Sequence, residues 1–327
     1  VIVGSILVSI FCIIALFGTR ALAYTMNIIV IIPLITGLLT IGYLVWGAVT
    51  PGIAKAQFDA VFSSGAWDRV LDVAREVLAA HQESMAKYAF GVSLSNTLLY
   101  TIPATWAYIG FTCPAFFGSE IKEPSKSFKM AMIAGPIFIM LYYVVLSAGV
   151  WSAYGSFISY YVYAFEKAPE KLAAALGLTT APPTPVLPFF AAILAYPNTA
   201  IMVTLAVTGA FWLMNDIPAF LMVTSRQIFA WAFDRFFPEF LAAVNDRFHS
   251  PHWAITLTWI VGLIGVLANA YNWFITLVGT TVFALFRYWI DGLTAAILPY
   301  KRPDIWEKGL RWTISGVPVL TILGVIS

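Results

Sequence analysis

AYIGFTCPAFFGSEIKEPSKSFKMAM, residues 107–132, holds an apolar helix that stops where it should continue. From Val92 onward the chain has offered little polarity beyond hydroxyls and one amide, Asn96. Gly110 and Pro114 then fall inside that helix, and a charged run beginning at Glu120 and containing Pro124 ends it. Glycine and proline each destabilise a helix interior, the first through backbone entropy, the second through a lost N–H donor and a steric clash. What the break is for depends on the solvent around it and on its depth in that solvent.

Composition settles the solvent. Hydrophobic residues make up 61% of the chain and aromatics 16%, while only 10% is charged, against roughly 25% in soluble domains. With a mean hydropathy of +0.86, the expectation is an all-α integral membrane protein. A net charge of +2 gives no ground for a nucleic-acid partner. Cys12 and Cys113 both lie in apolar helices, so neither a disulfide nor a metal site is expected. Val1–Phe17 is apolar from its first residue, the last segment is still apolar near Ser327, and no signal-peptide pattern precedes Arg20. The chain is therefore expected to be a fragment, truncated at both ends.

A bilayer core of about 30 Å takes roughly 20 apolar residues as a helix. Segments A to H are expected over Val1–Phe17, Tyr24–Trp46, Ser93–Gly118, Ala131–Trp151, Thr199–Ala230, Trp253–Ala268, Phe274–Leu298 and Ile314–Ile326. Helices are required because unpaired backbone groups are too costly in lipid. The short connections A–B, C–D, E–F and G–H carry eleven Lys or Arg residues, against six spread over the two long loops on the other side. The basic side is expected to be cytoplasmic.

The long outer loops predict structure of their own. In residues 66–87, Val70, Leu71, Ala74, Val77 and Leu78 recur at helical spacing, an amphipathic helix for the outer surface. TTAPPTPVLP (179–188) predicts a Pro-rich loop, and FFAAILAY (189–196) is too short to span, so it is either a re-entrant or lid helix or a plain interfacial segment.

Only Asp216, Arg287 and Asp291 carry charge well inside a span, where charge is costly and tends to face protein or water. Asp216 lies ten residues before Arg226, about 15 Å from the cytoplasmic edge and hence at the midplane. Gly110 lies ten residues before Glu120, at the same level. Arg287 and Asp291 are one turn apart on one helix and can pair structurally. Asp216 follows Asn215 and precedes Pro218, whose ring frees carbonyls. This group either holds a cation or proton, or is a neutral acid hydrogen-bonded to the next helix. Irregular backbone at membrane depth is tolerated only when buried in protein or lining a cavity, and transporters use such breaks to bind substrate. Trp106, Tyr108 and Phe111 flank this one.

These residues resemble a family. WAYIGFTCPAFFGSEIKEPSKSFKMAM (106–132) is similar to the sixth-helix signature of amino acid–polyamine–organocation (APC) permeases. NDIPAFLMVTSRQIFAWAFDRFFPEFLAAVNDRFHSPHWAI (215–255) resembles their eighth helix and the loop after it, and FGTRALAYTMN (17–27) their fourth-to-fifth turn. The resemblance makes A to H helices four to eleven and implies the five-plus-five inverted-repeat fold shared with the leucine transporter. Residues 1–48 would then close the first repeat, 49–92 form an extracellular loop with the amphipathic helix, 93–299 hold the complete second repeat, and 300–327 begin a post-repeat helix. It further implies substrate binding along Trp106, Ala107, Tyr108, Ile109, Gly110, Phe111 and Thr112. There the carbonyls of Trp106, Ala107 and Ile109 receive the substrate's amino group and Gly110 permits close approach. Thr112 stands where many relatives have an acid, and NIIVIIPLITG (27–37) lacks the lysine of some proton-coupled members.

The expected function is secondary active transport of amino acids or related organic amines by alternating access, in the plasma membrane. The coupling species would be sodium or a proton at Asn215 and Asp216, with no cofactor. Glu120, Lys122, Arg226 and Asp234, at the inner ends of C and E, are expected at the cytoplasmic gate. The alternative is a non-transporting sensor or channel on the same scaffold, although a channel would favour a continuous polar stripe. An enzyme is not expected: His81, His249 and His252 all lie at interfaces, and no nucleophile–base pair is present inside a helix.

Overall fold

The computed structural model describes residues 1–81, 94–105, 108–271, 277–309 and 311–326. In chain order its helices are α1 (Ile2–Leu16), α2 (Thr19–Val49), α3 (Ile53–Val61), α4 (Ala66–Ala80), α5 (Leu94–Thr105), α6 (Pro124–Lys129), α7 (Gly135–Tyr154) and α8 (Phe157–Lys167). They continue with α9 (Pro169–Ala175), α10 (Leu187–Leu194), α11 (Thr199–Met214), α12 (Asp216–Phe233), α13 (His252–Ala270), α14 (Leu277–Lys301), α15 (Pro303–Trp306) and α16 (Val319–Ile326). Among the described residues four helical stretches are long and apolar enough to cross a membrane: Thr19–Val49, Lys126–Tyr154, Thr199–Phe233 and His252–Ala270. Large apolar side chains such as Ile28, Ile31, Leu38, Ile137, Leu141 and Val144 stand exposed along them. Such a surface suits hydrocarbon as its solvent and not water.

The chain divides into two units. The first comprises residues 1–92 and 110–267. In it α2 lies along α7 and α11, while α1 packs on α12. Small residues let these helices approach, as is usual within membranes. A Cβ at Gly37 would overlap the Tyr142 hydroxyl, and one at Gly149 would come within 3.1 Å of Leu44 Cβ. A core of Phe11, Cys12, Leu22, Leu221, Met222 and Ile255 fills the space between α1, α2, α12 and α13. Asn198 caps α11 by accepting a hydrogen bond from the Ile201 N–H at 3.2 Å.

Helices α3, α4, α8, α9 and α10 form a second layer on this unit. The stripe predicted for residues 66–87 is present in α4, with Ala66, Val70 and Ala74 fully buried; residues 82–87 lie outside the described residues. It packs on α8 and α9. Its apolar face is thus covered by protein, because Phe58, Trp67, Tyr154, Phe157 and Tyr161 build an aromatic core beneath it, with Trp67 stacked on Phe157 at 3.6 Å. The short helix predicted after the Pro-rich loop is α10, packed on α11, α2 and α3.

The second unit comprises residues 93–109 and 268–327. Within it α16 crosses α14 so closely that any side chain at Gly324 would collide with the Gly292 carbonyl.

Three boundaries differ from expectation. Segment D begins earlier: α6, a π-turn at Met130–Ala134 and α7 follow one another without a gap, Pro124 being tolerated in a first turn that needs no N–H partner. Segment E is not one helix, since α11 ends at Met214 and α12 starts at Asp216. Segment H starts five residues late, and the chain is not wholly α. Thr313–Ile314 pairs antiparallel with Val317–Pro318. Ser315 (φ 51°) and Gly316 (φ 82°) make the two-residue turn between them. Positive φ at both central positions is what a tight hairpin demands.

Candidate functional site

Helix α5 ends at Thr105, and a 3₁₀ segment, Cys113–Glu120, takes up the chain after a turn through Ile109–Thr112. The apolar run of segment C is therefore interrupted at the level expected. Gly110 has a φ of 158°, outside any helix, and its carbonyl accepts from the Cys113 N–H at 2.8 Å. A Cβ at Gly110 would meet only Cys113 Sγ, at 3.9 Å. Of the residues predicted to bind substrate, Tyr108 and Ile109 belong to the second unit; Gly110, Phe111 and Thr112 belong to the first and are half-buried. Trp106 and Ala107 lie outside the described residues.

At the far end of the 3₁₀ segment stands the most connected polar group of the first unit. Arg226, on α12, donates from Nε to Glu120 Oε1 at 3.0 Å and from Nη2 to Glu120 Oε2 at 3.2 Å. Nη2 also donates to Thr19 Oγ1 at 2.6 Å, and Nη1 to Ser225 Oγ at 3.2 Å. The Thr19 hydroxyl in turn donates to Glu120 Oε2. Only 10% of the Arg226 side chain and 33% of Glu120 is exposed. Burial alone would push the Glu120 carboxyl up, but hydrogen bonds from Arg226 and Thr19, with the Arg226 charge, hold it below its ordinary range. Three elements distant in sequence are thus tied at one point: the start of α2, the end of the 3₁₀ segment and the middle of α12. Lys122 and Asp234 are exposed and join no ion pair among the described residues. Thr19 was not read from the sequence; its only signal was its place at the head of a long apolar helix, beside Arg20.

At Asn215 the two helices of segment E meet almost in line, with φ −66° and ψ −24°, and its N–H still reaches the Phe211 carbonyl at 3.1 Å. The Asn215 amide oxygen is buried with no hydrogen-bond partner among the described residues. Asp216 is exposed and makes no hydrogen bond or ion pair among them. A neutral amide is far cheaper to bury than a carboxylate. On α14, Arg287 and Asp291 pair at 3.3 Å with 43% and 56% of their side chains exposed, so the pair is not a buried one.

No curated protein and no solved structure matches the chain. The family model described as amino acid permease matches residues 1–327. That is a transporter family and not an enzyme family. An interrupted apolar helix, four spans and a family match over the whole chain agree: this chain belongs to the amino acid permease family.

Proposed function

We propose that the chain works in secondary active transport, moving amino acids or related organic amines across the plasma membrane by alternating access. The observation that carries this reading is the turn through Ile109–Thr112 and the 3₁₀ segment after it, within an otherwise apolar segment. Carbonyls released from an α-helix are the groups that can receive a substrate ammonium without adding a charge to the membrane. In this reading the chain follows the five-plus-five inverted repeat, with residues 93–299 as its second half and the substrate held along 106–112. The Thr19–Glu120–Arg226 cluster is the inner gate. Its charge pair, largely out of water, holds three elements together while the inward path is shut, and separates when it opens. Asn215 and Asp216 lie at the joint of α11 and α12 and carry the coupling proton or sodium ion.

The test is uptake of labelled neutral amino acids into proteoliposomes containing the full-length protein. Gly110→Ala should itself lower uptake in part, since a φ of 158° is a backbone conformation that L side chains rarely adopt, although the added Cβ meets nothing closer than 3.9 Å. Gly110→Leu should abolish uptake with insertion intact, because a branched side chain would occupy the space of the substrate. Normal uptake by the leucine variant would refute the binding site.

A further inference from the structure

Away from these residues, the first unit contains a cavity of about 610 Å³ between α2, α7 and α11, roofed by α10 and the Pro-rich segment before it. Its volume is that of a small-molecule site. None of the described residues lining it is charged. Three threonine hydroxyls in its helical walls are already committed to their own helices: Thr36 donates to the Ile32 carbonyl at 3.0 Å, Thr40 to Thr36 at 2.9 Å and Thr208 to Thr204 at 2.7 Å. The Tyr142 hydroxyl is buried without a partner among the described residues, lodged over Gly37. Apart from the Tyr142 and Thr184 hydroxyls, what the cavity offers a guest is ring faces and methyl groups. Tyr142 and Trp212 stack at 5.6 Å on one side, and Phe189 closes the roof.

The roof is held in place. Tyr161 donates to the Pro183 carbonyl at 2.8 Å and Tyr154 to the Phe190 carbonyl at 2.7 Å. Gly209 lets Pro188 sit against α11, where a Cβ would meet Pro188 Cγ at 2.9 Å. The space is therefore preformed. A zwitterionic amino acid entering it would leave its hydration with no charged partner in return, a large cost. A hydrocarbon chain or ring would lose nothing polar and would gain dispersion contacts that an empty wall forfeits. Apolar cavities of roughly 150 Å³ already take up benzene.

We infer that this cavity is a binding site for a neutral apolar molecule, separate from the path of the amino acid. Its occupant is a hydrocarbon chain or ring drawn from the bilayer, supplied either by a membrane phospholipid's acyl chain or by a free hydrophobic amphiphile. Trp212 and Leu213 line it one turn before Asp216, so the occupant would sit beside the joint of α11 and α12.

The experiment uses the full-length protein in nanodiscs with two photoreactive probes: a phosphatidylcholine bearing a diazirine at the end of one acyl chain, and a free diazirine-bearing fatty alcohol. After irradiation, peptide mass spectrometry maps the adducts. Adducts should concentrate on residues 187–192 and 205–213. Ala206→Phe and Ala210→Leu, which fill the cavity, should each reduce them at least five-fold, leaving adducts on the exposed Val144–Val145 face unchanged. Unlabelled dodecanol should compete in the wild type, a readout needing no variant, whereas excess neutral amino acid should not. Labelling by phosphatidylcholine identifies the lipid as source, and labelling by the alcohol alone identifies a diffusible amphiphile. Adducts no denser here than on the Val144–Val145 face, or indifferent to both filling variants and to dodecanol, would overturn the inference. Displacement by the amino acid would overturn it too, by making this the transport site.

Discussion

At the residue scale, the Thr19–Glu120–Arg226 cluster makes the sharpest predictions. A carboxyl held below its ordinary range stabilises the fold fully above its unfolded value, and this is lost as pH falls through the lower folded value. The stability difference between wild type and Glu120→Gln should therefore stay constant from about pH 8 to about pH 6 and shrink only in the acid range of free carboxylates. Thermal melts of the purified protein across pH would show this; a difference that decays already near neutrality would contradict it. Arg226→Lys keeps the charge but not the fork that reaches Glu120, Thr19 and Ser225 together, and should cost about 1 kcal/mol or more. Asp216 belongs to the same scale. In the proposed reading Asp216 lies at the midplane, where a carboxylate costs about 2.5–3.5 kcal/mol on the lenient insertion scale, and a proton or cation offsets that cost. Asp216→Asn should abolish concentrative uptake while leaving exchange of internal for external substrate. Normal accumulation by this variant would remove Asp216 from coupling. Glu120 and Arg226 were both named from the sequence because charge at the end of an apolar segment is conspicuous. Thr19 was not, since a hydroxyl becomes distinctive only once its neighbours are known.

At the element scale, α4 shows how far periodicity reaches. Its apolar stripe was legible because spacing of three and four residues places Val70, Ala74 and Val77 on one face. What that face would meet was not, because the aromatic core of Phe157 and Tyr161 is contributed by residues some 90 positions away. Ala74 is fully buried against that core. Ala74→Leu should overpack it and lower stability by about 1–3 kcal/mol, whereas Arg75→Leu on the exposed face should change it little. Equal effects at the two positions, measured as thermal midpoints in detergent, would place the stripe on lipid or water and not on protein. The hairpin at Ser315–Gly316 is the opposite case. A serine–glycine turn signal lay in plain view, but the apolar residues around it read as the start of a span.

At the scale of the whole molecule, the proposed cycle separates from a pore by energetics. A transporter driven by an ion gradient should accumulate substrate to saturation in proteoliposomes and lose accumulation when ionophores dissipate both the proton and sodium gradients. A pore would equilibrate substrate at a rate indifferent to either. The sequence by itself determined the solvent, the helical class, the position of the break along the chain and the family features, because these depend on composition and on local pattern along one chain. The tertiary structure alone decided which polar groups meet. Thr19 lies 101 residues from Glu120, and Glu120 lies 106 from Arg226. It also decided that the Asn215 amide oxygen is buried, and that α2, α7 and α11 leave a space between them whose described lining is free of charge. Contacts at such separations follow from how helices pack, and packing depends on the shapes of all the surfaces at once, which no local pattern in one chain records.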